Sequence, residues 1–240
     1  MLGTILLSIC LFIVVVLFLH HLFFGSLKFS HEGNRIHFFS KFSRIVHLLA
    51  GVSFVLLMPS GIIVLFRHQI GKGLLTSVAD TIHSYSTILF IIAILPMFFM
   101  WLKKMLPSLH DFSWFMKFGG YLSKEKQIIY ADKFNAGQKM WFWIASIGGL
   151  YMIITGALIF FRHSDLSWLT GTSMSSRDFS HLMGFIHIIG AIVILVFLII
   201  HLYMSIIAIK GSLYSMIHGF KSEEEVKYMH NKYYEDFNKK

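Results

Sequence analysis

The sequence predicts an all-α integral membrane protein, and three observations carry that class. Of its 240 residues, 56% are hydrophobic and only 14% charged. The mean hydropathy of +0.69 lies outside the range of soluble globular chains. Five runs contain no Asp, Glu, Lys or Arg: Leu2 to Leu27, Ile45 to Phe66, Ile82 to Leu102, Met140 to Phe161 and Leu182 to Ile209. Each is long enough to cross about 30 Å of hydrocarbon as a helix. Runs of this length without polar alternation are helices rather than barrel strands.

The first run, within residues 1–27, is read as a retained transmembrane helix. It lacks the basic n-region and small-residue cleavage pattern of a secretory signal and exceeds an ordinary h-region. Residues 28–44 form a short charged segment. Residues 45–209 hold the other four spans, with "MPSG" at 58–61 and Pro96 inside them. Neighbouring helices satisfy the carbonyls that such prolines free. The longest connection, about 103–139, contains Pro107 and the aromatic stretch "FSWFMKF", which predicts a helix lying in the membrane interface. The mixed-charge tail, 210–240, is expected to be helical.

Charge orients the spans. Seventeen of the 21 basic residues fall in three flanks, residues 28–44, 103–139 and 210–240. The positive-inside rule places these flanks in the cytoplasm and the N-terminus outside. The net charge of +9 is therefore a cytoplasmic face meeting lipid, with no need for nucleic acid. The single cysteine, Cys10, excludes an internal disulfide, and without a C-x-x-C-H sequence there is no covalently attached c-type haem. Cysteine-built zinc and iron–sulphur sites are excluded in the same way.

Ionisable side chains inside spans mark functional sites by default, and residues 187–201, "HIIGAIVILVFLIIH", have a histidine at each end. Fourteen residues at about 1.5 Å each put His187 and His201 roughly 21 Å apart along one helix and about 40° apart around it. In the predicted topology, His83 begins the third span at the depth of His187, while His47 begins the second at the depth of His201. Two histidine pairs thus stack across the membrane. A haem takes two axial ligands from opposite sides, and helix-bundle interiors are a usual place for cofactors. Two protein ligands leave iron no open position, so such haems carry electrons. Gly51, Gly61, Gly184 and Gly190 lie where a flat macrocycle would approach the helices, and Arg44, one turn before His47, is placed for a haem propionate or a lipid phosphate. The alternative for any one of these histidines is a hydrogen bond to a neighbouring helix. His181 lies off the His187 face. His68 and His163 belong at the outer interface, and His20 and His21 are expected to snorkel to headgroups. His31, His37, His110, His218 and His230 read as loop or tail residues.

Four blocks resemble the cytochrome b membrane (gamma) subunit of respiratory formate dehydrogenase, from His47 to about Lys221. "RIVHLL" at 44–49 and "DTIHSYSTI" at 80–88 are similar to its first two ligand segments. "KFNAGQKMWFW" at 133–143 resembles its most distinctive signature, and the stretch from His187 through "KGS" at 210–212 resembles its last helix and tail. The resemblance implies a four-helix bundle holding two b haems in the bacterial cytoplasmic (inner) membrane. His83 and His187 would ligate the outer haem, and His47 and His201 the inner one. Asn135, Gly137 and Gln138 would line a menaquinone site beside the inner haem, although the residues alone also read as a helix start with Asn135 as N-cap. The implied partners are an iron–sulphur subunit and a molybdenum- or tungsten-containing subunit that oxidises formate, with this chain as the quinone-reducing member. The first span is additional to the family's four, and Leu48 replaces an aromatic residue often found there. The cytochrome b of a thiosulfate or polysulfide reductase, or of a hydrogenase, shares this fold. A transporter or a haem-free anchor is the alternative of another class, though a transporter would be expected to carry charges or broken helices within its spans.

Overall fold

The computed structural model describes residues 2–30, 33–124, 127–161 and 175–239. His31, Lys126, Arg162, His163 and Lys240 lie outside the described residues. Five helices among them are long and apolar enough to cross a membrane, in agreement with the sequence. In chain order the elements are α1 (Leu2–Phe24), β1 (Leu27–Lys28), β2 (Arg35–His37), α2 (Lys41–Leu65), α3 (Arg67–Ile70), α4 (Leu74–Trp101), α5 (Leu109–Met116) and α6 (Ala136–Phe160). There follow α7 (Ser176–Leu202), β3 (Ile209–Lys210), α8 (Ser212–His218), β4 (Phe220–Ser222), α9 (Glu223–Met229) and α10 (Asn231–Asn238).

The spans α2, α4, α6 and α7 begin before their uncharged runs because caps, not charges, end a helix. Ser40 Oγ accepts from the Ser43 amide at 3.2 Å, and Ser175 Oγ from the Asp178 amide at 3.2 Å. At α6 the exchange is reciprocal. Asn135 Oδ1 accepts from the Gln138 amide and Gln138 Oε1 from the Asn135 amide, both at 3.0 Å, which satisfies two otherwise unpaired donors. Pro59 and Pro96 sit inside α2 and α4 without ending them.

α2 packs along α4 and α6 along α7, so the bundle is two helix pairs facing each other, and α1 lies against α7. Small residues line the interior: Ser53 and Ala93 are fully buried. In contrast, Leu6 is the buried residue of α1, and Leu11, Phe12 and Phe23 are each 65% exposed. A helix apolar on all faces and covered on one is a lipid-facing helix.

Two expectations are corrected. The tail is not one helix. Gly211 and Gly219 take left-handed conformations (φ 93° and 88°) that cut α8 off at both ends, and residues 220–222 pair antiparallel with 35–37. β1 pairs parallel with β3. The segment before α2 is therefore stitched to the tail, at the end of the bundle called here the tail end. A helix is present at this stretch as α5, but it starts at Leu109, where the Ser108 amide donates to the Asp111 carboxylate at 2.7 Å.

Candidate functional site

The four span histidines meet in two pairs across the seam between α2–α4 and α7. At the tail end the rings of His47 and His201 have centroids 6.2 Å apart. At the far end those of His83 and His187 are 6.5 Å apart. A direct N–H···N hydrogen bond of about 2.9 Å would bring two imidazole centroids to about 5.2 Å. Two nitrogens bound to one metal at about 2.0–2.1 Å place the centroids about 6.4 Å apart. The separation in both pairs is longer than a direct hydrogen bond would give and close to that of two imidazoles sharing a metal.

The surroundings fit a flat group held this way. A side-chain carbon added at Gly51 or Gly184 meets nothing within 4 Å, whereas one at Gly61 would lie 3.1 Å from His83 Cε1. Gly190 is a correction. An added carbon there would lie 2.4 Å from the Tyr151 ring, so this glycine seats α6 against α7. The sequence reading overlooked Gly156, where the added carbon would lie 3.4 Å from His187 Cε1. It also overlooked the residue before each of these glycines. Ser60 Oγ is 3.1 Å from His83 Nδ1, and Thr155 Oγ1 is 2.8 Å from His187 Nδ1. Each far-end ring is therefore seated by a hydroxyl–glycine dipeptide of the adjoining helix, Ser60-Gly61 or Thr155-Gly156. The tail-end rings have aromatic neighbours. His201 stacks on Trp141 at 5.2 Å and 17°, and His47 lies 6.2 Å from Trp101. Arg44, half-buried one turn before His47, gives an Nη1 hydrogen to the Ile217 carbonyl, and its buried Nε has no partner among the described residues.

Asn135, Gly137 and Gln138 gather at the tail end, one turn before Trp141. The capping exchange uses the amide oxygens of Asn135 and Gln138, and the Asn135 side chain also bonds Tyr121. Gly137 receives the Trp114 indole, since an added carbon would lie 2.7 Å from that ring. Lys139, which follows Gln138, is buried at 4% exposure. Its ammonium reaches Asp111 at 2.8 and 3.0 Å and Ser108 Oγ at 3.1 Å. Beside it Asp132 accepts from His110 at 2.8 Å and pairs with Lys232 at 2.9 Å. Burial opposes the ionisation of Asp132, but the hydrogen bonds from Lys232 and His110 outweigh it and hold its carboxyl below the usual range.

Other histidines divide. His68, His181 and His218 are exposed, as expected, and His37 lies exposed in β2. His20 does not snorkel. Its Nε2 donates to the Tyr121 carbonyl at 2.9 Å, and its Nδ1 accepts from the Tyr203 hydroxyl at 2.5 Å. The additional helix α1 is thereby fastened to α7 at the start of the π-helical turn Tyr203–Ala208. His21 Nδ1 is buried without a partner among the described residues. His230 is not a loose tail residue but is 1% exposed, its Nδ1 donating to the Asp132 carbonyl at 3.1 Å.

A family model described as prokaryotic cytochrome b561 matches residues 38–219. The chain is 27% identical over 159 residues to the cytochrome b556 subunit of nitrate-inducible formate dehydrogenase from Escherichia coli K12. That alignment covers 66% of this chain and 70% of the relative. The Shigella flexneri protein of the same description matches at the same identity and coverage.

Proposed function

Because the chain belongs to the prokaryotic cytochrome b561 family, we propose that it is the membrane cytochrome of a formate dehydrogenase complex, passing electrons from an iron–sulphur subunit to menaquinone. The family and the five apolar helices make it a multi-pass membrane protein of the bacterial inner membrane and a carrier of haem b. The observation that supports the finer reading most is the pair of histidine separations, 6.2 and 6.5 Å. We assign residues 45–209 as a dihaem domain, with His83 and His187 holding the outer haem and His47 and His201 the inner one. The tail end faces the cytoplasm in this reading, in keeping with its basic flanks.

Haem b supplies a one-electron carrier at each depth. The chain's part is to hold each macrocycle by two imidazoles, which denies the iron an open position, and to leave room at Gly51 and Gly184. Arg44 Nε, without a partner among the described residues, is assigned to an inner-haem propionate. Asn135, Gly137 and Gln138 are assigned to the quinone site, supported by the turn of α6 that links Gln138 to Trp141 and so to His201. With its Oε1 engaged as a cap, Gln138 has its amide NH2 to donate to a quinone carbonyl. The formate-oxidising molybdenum or tungsten centre belongs to a partner subunit. The test is a reduced-minus-oxidised spectrum with haem quantified per chain, followed by reduction with formate in the purified complex. Two haems reduced by formate and reoxidised by a menaquinone analogue are expected. Fewer than two per chain overturns the ligand assignment, and two haems silent to formate overturn the choice of partner.

A further inference from the structure

We infer that Ser60 and Thr155 fix the tautomer of the two outer ligands and hold the outer haem at a lower potential than its ligands alone would give. The inference rests on the ligand assignment proposed above. A hydroxyl has one proton, and each of these has a carbonyl of its own helix within reach to take it. Ser60 Oγ donates to the Leu56 carbonyl at 2.6 Å, and Thr155 Oγ1 donates to the Tyr151 carbonyl at 2.9 Å. What each oxygen has left is a lone pair. With the hydroxyl protons so placed, the imidazole nitrogen facing each oxygen, His83 Nδ1 at 3.1 Å or His187 Nδ1 at 2.8 Å, is the N–H donor, and the Leu57 backbone is a second partner of the His83 ring. A neutral imidazole carries one such proton, so Nε2 of both rings is left unprotonated as the metal-binding nitrogen.

The arrangement has an electronic consequence. An Nδ1–H that donates a hydrogen bond makes the opposite nitrogen a stronger donor to its metal. The oxidised, more positive iron gains most from this, so the outer couple is lowered. The inner ligands have indole neighbours instead, His201 on Trp141 and His47 beside Trp101. The two centres are thus biased apart, and the bias favours electron movement from the outer centre to the inner. Ser60 and Thr155 are positioning residues, since they act through the ligands. The glycine after each keeps the ring edge at the right depth, with added carbons at 3.1 and 3.4 Å from the Cε1 atoms.

The experiment uses the assembled complex and compares wild type with Ser60→Ala, Thr155→Val, Thr155→Ser and His83→Ala. Spectrally resolved potentiometric titration is read beside haem content and low-temperature EPR. His83→Ala should lack one haem and so identify the outer centre's absorption band and midpoint. Ser60→Ala and Thr155→Val should keep two haems. Loss of one neutral hydrogen bond should change the outer ferric-to-ferrous ratio roughly three- to tenfold at fixed potential, a rise of about 28–59 mV for a one-electron couple. The inner midpoint should stay, and Thr155→Ser should return the wild-type value. Two haems at wild-type midpoints in both Ser60→Ala and Thr155→Val overturn the inference while leaving the ligand assignment standing. So does a Thr155→Ser midpoint that matches Thr155→Val, because the methyl rather than the hydroxyl would then matter. If Thr155→Val loses haem, Ser60→Ala and Thr155→Ser decide by the same shifts. A full haem complement in His83→Ala overturns the ligand assignment and this inference with it.

Discussion

The imidazole of His201 lies on the indole of Trp141, with centroids 5.2 Å apart and planes 17° from parallel. An aromatic pair of this kind contributes about 0.5–1.5 kcal/mol beyond its buried area, enough to restrict the rotation of a ring. Trp141→Leu is expected to retain two haems per chain but to broaden the EPR signal of the inner one, leaving the outer signal unchanged. Identical spectra for the variant and the wild type would deny the indole this role.

The two centres should be separable. His47→Ala is expected to remove mainly the inner haem and His83→Ala the outer. A milder pair adds bulk where the bare fold is open. Gly51→Leu and Gly184→Leu meet nothing within 4 Å at the first added carbon, so they should leave the fold intact and lower haem content at one centre each. Haem and protein quantified together in purified variants check this. Loss of the inner haem alone in His83→Ala would invert the assigned topology.

Gln138 has two separable parts. Glu in its place keeps an oxygen for the capping exchange and removes the amide donor, whereas Leu removes both. Losing one uncharged hydrogen bond to quinone costs about 0.5–1.5 kcal/mol, roughly three- to twelvefold in affinity. Both variants should be reduced normally by formate and reoxidised more slowly by a subsaturating menaquinone analogue in stopped flow. Rates equal to wild type at matched haem content would leave Gln138 a helix cap and nothing more.

Lys139 and Asp111 form a buried ion pair, their side chains 5% and 11% exposed. Removing one partner of such a pair costs about 3–5 kcal/mol, while replacing both with apolar groups is close to neutral. Lys139→Met should lower the melting temperature of the detergent-solubilised protein, and Lys139→Met/Asp111→Leu should recover most of the loss. A double variant no more stable than the single would place the effect elsewhere.

His230 links stability of the tail to pH. Burial, aided by Lys221 and Lys133, pushes its imidazole well below the ordinary range. The unfolded tail therefore binds the proton that the folded tail refuses. The stability this group confers is complete above the unfolded pKa of about 6.5 and is lost as pH falls toward the folded value. Protection factors for hydrogen exchange across residues 212–238, taken relative to the intrinsic rate at each pH, should fall between pH 7.5 and 5 in wild type, and much less so in His230→Phe. The same fall in both would exclude His230 as the cause.

The five spans and the two histidine pairs were legible because both follow from arithmetic along single helices. Run length gives a span, and a fourteen-residue interval gives a shared face. Ser60 and Thr155 were not legible because hydroxyls within spans usually bond their own helix. These do so as well, and only the neighbouring helix shows the second bond. His20 was misread for the same reason, since its partners Tyr121 and Tyr203 lie more than 100 residues away. Strands of two or three residues leave no alternation to detect, so the stitching of residues 27–37 to the tail appears only in three dimensions. The Asn135 cap was legible because it is written wholly in neighbouring residues, whereas the reciprocal bond from Gln138 was not read.

α7 contributes one ligand to each proposed centre, and that makes it a ruler. The helix pairs can breathe, tilt or be squeezed by lipid, and each histidine gap will respond. The interval between His187 and His201 will not, because it is counted in peptide units of one continuous helix, Ser176–Leu202. Tunnelling probability decays steeply with distance, so a relay whose rungs are cut into a single rigid rod keeps its step length through changes of bilayer thickness and partner docking. In the proposed relay, assembly tolerances would then fall on how firmly each rung is gripped, and throughput would be insulated from the softness of the membrane around it.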